Sequence, residues 1–182
     1  MGRIGLAAAR RAAAFDMNVV FFDPYQPDGY ELATGYKRLA SAEELFETAD
    51  TVSIHSPLTD ETRGAINGNL FGRMRDKALV INTARGPIVD LDAMYEALKA
   101  GRPAGAGLDV LPQEPADANH PLIKAYMARE DWLEGRLMVS PHAAFYSPPG
   151  LQDLRFKAVA TAAQRIRDGS VRNCQNLAYL TD

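Results

Sequence analysis

The sequence has 182 residues, 47% hydrophobic and 24% charged, which suits the core of one domain or one and a fraction. A formal net charge of −3 gives no basic footprint for a direct nucleic-acid partner. No apolar run approaches the ~20 residues of a membrane-spanning helix, no signal-peptide pattern opens the chain, and the single cysteine, Cys174, excludes an internal disulfide framework, so a reducing cytoplasm is the expected compartment.

Short apolar runs alternate with helix-like stretches along the chain. An Ala-rich helix is expected over Ile4 to Phe15, followed by an apolar run, Val19 to Phe22. Pro24 to Gly35 is turn-rich and reads as a loop. Ser41, with Glu44 three residues on, opens a second helix as a capping box. The further runs Thr51 to Ile54, Ala78 to Ile81, Gly105 to Val110 and Leu137 to Val139 rarely alternate polar with apolar, as in strands buried on both faces of a parallel sheet. Between them, Asp90 to Lys99 is a helix closed by Gly101. Glu114 to Arg136 is too long for an ordinary connection and is expected to hold one short helix, Pro121 to Arg129, with Pro121 in the first turn. Leu151 to Arg167 is the longest helix, closed by Gly169. This alternation predicts βαβ units and a doubly wound α/β domain.

Met1-Gly2-Arg3-Ile4-Gly5 runs straight into the first helix and matches the last four positions of GxGxxG, whose glycines let the backbone approach a pyrophosphate at a helix N-terminus. Asp23 lies 18 residues beyond Gly5, where an acid meets the adenosine ribose hydroxyls. A carboxylate there disfavours a 2′-phosphate, so NAD is expected rather than NADP, although Asp23 could also simply cap the turn before Pro24. The first glycine of the fingerprint and the strand before it are not in the sequence. The expected fold is therefore a Rossmann-type NAD-binding domain that begins after its first strand.

Three stretches combine reactive side chains with strand ends. Asn82-Thr83-Ala84-Arg85-Gly86 follows one run, Leu108-Asp109-Val110 with Glu114-Pro115 the next, and Ser140-Pro141-His142-Ala143-Ala144 the last. They place an arginine, a carboxylate and a histidine at carboxyl ends of parallel strands, where open α/β sheets bind ligands. Singly, Arg85 suits a surface salt bridge, Glu114 a solvated loop acid and His142 a polar strand end; together they point to chemistry.

These motifs, in this order, resemble the D-2-hydroxyacid dehydrogenase family, which includes phosphoglycerate and formate dehydrogenases. The resemblance covers essentially the whole chain, and TVSIHSPLT at Thr51 to Thr59 matches a family segment near the adenosine. Asp23-Pro24-Tyr25, the run His142 to Ser147 and the tail Asn173-Cys174-Gln175-Asn176 look most like the C-terminal binding protein branch, whose members include NAD(H)-binding corepressors. The resemblance implies that Arg85 holds a substrate carboxylate, that His142 exchanges a proton with the substrate oxygen, that Glu114 pairs with His142 and favours its protonated form, and that Asp109 fixes the nicotinamide carboxamide. It also implies cofactor contacts from Gly2, Arg3, Ile4, Asp23, His55, Ser56, Pro57, Thr62, Thr83, Ala84, Arg85, Asp109, His142 and Ala144.

The implied activity is hydride transfer between NAD(H) and a small 2-keto or 2-hydroxy acid, in a homodimeric parent protein. An NAD(H)-sensing corepressor-like module and an inactive fragment are the alternatives. Residues 1–172 would be a partial NAD-binding domain, and 173–182 a tail returning to a substrate domain that lies mostly upstream. No metal site is expected. Cys174 reads as structural, His120 as structural or exposed, His55 as shaping the cofactor groove, and Phe145 and Tyr146 as pocket border or core.

Overall fold

The computed structural model describes residues 1–171. They fall into two compact units, Met1–His142 and a second that begins at Ala143. Cys174 and the tail 173–182 lie outside the described residues.

In the first unit, α1 (Arg3–Ala13) leads into β1 (Val20–Phe21), α2 (Tyr30–Thr34) and β2 (Lys37–Arg38). Then come α3 (Ala42–Thr48), β3 (Thr51–Ile54), α4 (Gly68–Arg73), β4 (Leu79–Asn82), α5 (Leu91–Lys99), β5 (Gly105–Leu108), α6 (Pro121–Ala128) and β6 (Leu137–Val139). All strand pairing is parallel: β1 pairs with β2, and β3-β4-β5-β6 form a four-stranded sheet in sequence order.

The helix starts follow local chemistry. Ser41 Oγ accepts the Glu44 N–H at 3.0 Å and Asp90 Oδ1 accepts the Ala93 N–H at 3.0 Å, satisfying orphan donors of α3 and α5. The expected capping box is displaced by one residue, because Glu44 reaches back to the Ala40 N–H, at 2.7 Å, rather than to that of Ser41. His120 caps α6 through Nδ1, which accepts the Leu122 N–H at 3.2 Å, and Pro121 fills the first turn as anticipated. The histidine's other nitrogen lies 3.0 Å from Asp92 on α5, so His120 is a structural link between the two helices.

Three expectations change. The stretch read as a loop contains α2, between Gly29 and Gly35, both in the left-handed region at φ +84° and +75°. Helix α4 and the two-residue β2 are too short to show a period. Strands β3 to β6 bury one face, not both. Val52, Ile54, Val80, Ala106, Leu108 and Leu137 share one core cluster with Phe46, Phe71, Met94, Leu98 and Leu122 from α3 to α6. In the opposite row, in register across Ser53, Ile81, Gly107 and Met138, Ile81 and Gly107 are only partly covered, Ser53 is exposed and Met138 is 73% exposed. The apolar character of the runs reflects β propensity as much as two-sided burial.

Strands β1 and β3 each have one strand neighbour among the described residues. The start of α1 bridges their carboxyl ends: the Met1 ammonium meets Asp23 beyond β1, and a Cβ added at Gly5 would lie 3.4 Å from that of His55 beyond β3. Open edges leave ladder groups unpaired and limit stability.

The second unit is dominated by α7 (Pro148–Asp168). It starts three residues earlier than expected because prolines are tolerated in a first turn, here after Ser147, whose Oγ accepts the Gly150 N–H at 3.1 Å.

Candidate active site

The site is built on the carboxyl ends of β1, β3, β4, β5 and β6. At the first of these, Gly2 starts α1 with no side-chain cap, and no atom lies within 4 Å of where its Cβ would be. The first N–H groups of α1 and the space above them suit a pyrophosphate. Arg3 and Ile4 form the exposed first turn, Ile4 being 72% exposed. Asp23 accepts from the Tyr25 N–H at 3.0 Å and from Gln26 Nε2 at 3.3 Å, as well as from the Met1 ammonium. Burial works to raise its pKa, but these donors outweigh it and hold the carboxyl below its usual range. Asp23 is thus an ionised acceptor beside the start of α1, which is what a ribose diol requires.

Beyond β3, burial and the nearby N-terminal ammonium push the His55 imidazole pKa down. His55 Nε2 lies 3.0 Å from Ser53 Oγ, and the side chain packs on α1 at Gly5. Ser56 and Pro57 continue the loop, which Thr62 closes by donating Oγ1–H to the Pro57 carbonyl at 2.7 Å and accepting the Thr59 N–H at 2.8 Å.

Beyond β4, Asn82 is fully buried and folds the turn that carries Thr83, Ala84 and Arg85. Its Nδ2 donates to the Arg85 carbonyl at 3.0 Å, and its Oδ1 accepts the Ala84 N–H at 3.0 Å. The Arg85 side chain projects to the surface, with Nη1 donating to the Ala84 carbonyl at 2.7 Å. Gly86, next in the chain, lies against the Leu111-Pro112 backbone so tightly that no side chain fits. That contact brings the Arg85 turn to the segment bearing Glu114.

His142 and Glu114, 28 residues apart, meet directly: Nδ1 lies 2.7 Å from Oε2. A carboxylate only accepts, so Nδ1–H donates, and this bond orients the ring. Glu114 Oε1 also accepts the Leu111 N–H at 3.1 Å. The bond from His142, more than any other cause, holds the Glu114 carboxyl below its usual range. Asp109 is 6% exposed and accepts from Ser140 Oγ at 2.6 Å. The His142 N–H donates to the Asp109 carbonyl at 2.8 Å, with His142 itself at φ +50°. Ala144 belongs to the second unit. There Phe145 and Tyr146 form an edge-to-face pair with centroids 6.5 Å apart and are 56% and 65% exposed, so neither is core.

Residues 1–144 match the model of the D-isomer specific 2-hydroxyacid dehydrogenase NAD binding domain. The chain belongs to the D-isomer specific 2-hydroxyacid dehydrogenase family. A glyoxylate reductase of Korarchaeum cryptofilum (strain OPF8) is 43% identical over 144 residues, 79% of this chain and 40% of that protein. Among solved structures, a glyoxylate reductase from Paecilomyes thermophila superposes with a TM-score of 0.81 at 29% identity, over 98% of this chain and 51% of that one. A D-lactate dehydrogenase from Aquifex aeolicus, complexed with NAD and lactic acid, gives 0.78 at 30% identity, over 91% and 51%. The chain thus spans about half the length of the relatives it matches, and NAD is the cofactor of its family domain.

Among the described residues of this dehydrogenase-family chain no helix is long and apolar enough to cross a membrane. Sequence reasoning passed over Ser140 and Asn82 as functional residues. Both stand inside the quoted motifs, but only the folded chain gives them partners.

Proposed function

We propose that this chain is the NAD-binding part of a cytoplasmic, homodimeric 2-hydroxyacid dehydrogenase that interconverts a small 2-keto acid and its 2-hydroxy acid, the remaining cleft coming from a substrate domain and the tail 173–182. The observation that carries this reading is the bond between His142 and Glu114, which turns a strand-end histidine into an oriented acid/base group.

Bound NADH supplies the hydride. The Arg85 guanidinium fork binds the substrate carboxylate and polarises the neighbouring carbonyl. His142 gives the proton held on its second ring nitrogen to the carbonyl oxygen during reduction and takes it back during oxidation. Glu114 keeps the ring oriented and offsets the charge it carries when protonated. Asp109 accepts from the nicotinamide carboxamide, Asp23 holds the ribose, and Gly2 with the start of α1 holds the pyrophosphate. His55, Ser56, Pro57 and Thr62 wall the groove on one side, and Thr83 and Ala84 on another.

The test of the cofactor arm is Asp23→Ala. The unaltered protein is expected to bind NADH more tightly than NADPH, because a 2′-phosphate would face the Asp23 carboxylate; the variant narrows that gap. Equal Kd values for both cofactors before mutation, by fluorescence titration, would refute the assignment. Glyoxylate-dependent NADH oxidation by the protein with its substrate domain tests the reaction itself.

A second reading places the chain in the C-terminal binding protein branch, as an NAD(H)-sensing module. Asp23-Pro24-Tyr25 and the exposed Phe145-Tyr146 pair after His142 favour it. Self-association that depends on NAD(H), without keto-acid turnover, would select this reading.

A further inference from the structure

We propose that Ser140 is a positioning residue for the nicotinamide end of the cofactor, acting through Asp109; this rests on Asp109 as the carboxamide acceptor. Adjacent parallel strands β5 and β6 are in register at Leu108 and Val139, so Ser140 and Asp109 face each other one residue beyond. Three bonds join the two segments there. The Ser140 N–H donates to the Leu108 carbonyl at 3.0 Å, the His142 N–H to the Asp109 carbonyl at 2.8 Å, and Ser140 Oγ to Asp109 Oδ1 at 2.6 Å.

Only the last of these depends on the serine side chain, and it acts on a carboxylate that is 6% exposed. A buried carboxylate needs donors, and a bond to an ionised acceptor is among the stronger kinds. The terminal torsion of an aspartate is otherwise broad. The Ser140 hydroxyl therefore helps to fix the plane of the Asp109 carboxylate and so the direction in which it can receive an amide N–H. The backbone bonds that anchor the His142 segment do not involve the hydroxyl and survive its removal.

Calorimetric titration of the chain with NADH and with ADP-ribose, which lacks the nicotinamide, tests the assignment. Ser140→Ala is expected to weaken NADH binding about tenfold, the worth of one hydrogen bond to a charged group, and to leave ADP-ribose binding unchanged. Ser140→Thr, which keeps the hydroxyl at a half-buried position, restores NADH affinity. Equal losses for both ligands would show a general structural role and overturn the proposal, as would a threonine variant as weak as the alanine one. Asp109→Ala separates the two layers. A loss confined to NADH in Asp109→Ala, with none in Ser140→Ala, defeats the Ser140 proposal and leaves the Asp109 reading standing. No NADH-selective loss in Asp109→Ala defeats both.

Discussion

Replacing His142 with alanine, in the protein with a complete substrate cleft, is expected to lower kcat by about two to four decades, the usual worth of a positioned acid/base group. The side chain is half-exposed and bonded through Nδ1 to Glu114. Its loss therefore removes the proton donor without opening the core. NADH affinity is expected to change little, because the His142 N–H bond to the Asp109 carbonyl is made by the backbone and is kept. Glu114→Gln should fall between the variant and the wild type, since an amide still orients the ring but carries no charge. Steady-state reduction of glyoxylate or hydroxypyruvate, with NADH titrated separately, reads both parts. Unchanged turnover by the alanine variant would remove His142 from catalysis and leave the bond to Glu114 as a loop staple.

Gly86→Ala is expected to destabilise the domain by about 3 kcal/mol or more, lowering its thermal midpoint by roughly 6–12 °C. A Cβ at Gly86 would overlap the Leu111 carbonyl and sit 2.5 Å from the Pro112 nitrogen. Both neighbours are backbone, so no rotamer change relieves the overlap. One of the two segments must move, and one carries Arg85 while the other carries Glu114. Activity should therefore fall further than the remaining folded fraction accounts for. Gly107→Ala is the control: its Cβ would meet only Ile81 Cγ1, at 3.9 Å, and the midpoint should shift little. Thermal scans of the two variants beside the wild type decide the matter, and a Gly86 variant as stable as the Gly107 one would mean that the 86–112 contact is loose.

The amino-acid sequence by itself determined the class of the fold and pointed to the candidate site residues. Glycines at 2 and 5 before an Ala-rich helix, an acid 18 residues on, and Arg85, Glu114 and His142 beyond apolar runs are local patterns. Backbone freedom, strand propensity and side-chain chemistry are written residue by residue, so such patterns can be read from the residues in order. The short elements α2, β2 and α4 were not legible, because two to six residues carry no usable period.

Tertiary structure decided which groups meet. The Glu114–His142 contact was implied by the family motifs, but its geometry needs β5 and β6 adjacent and in register. The bond from Ser140 to Asp109 and the demand for glycine at 86 have no sequence signature. One-sided burial of β3 to β6 was also hidden, since apolar runs look alike whether one face is covered or two. The physical reason is common to all four. Each depends on contacts between segments far apart in the chain, whose distances are set by packing and strand register rather than by the composition of either segment.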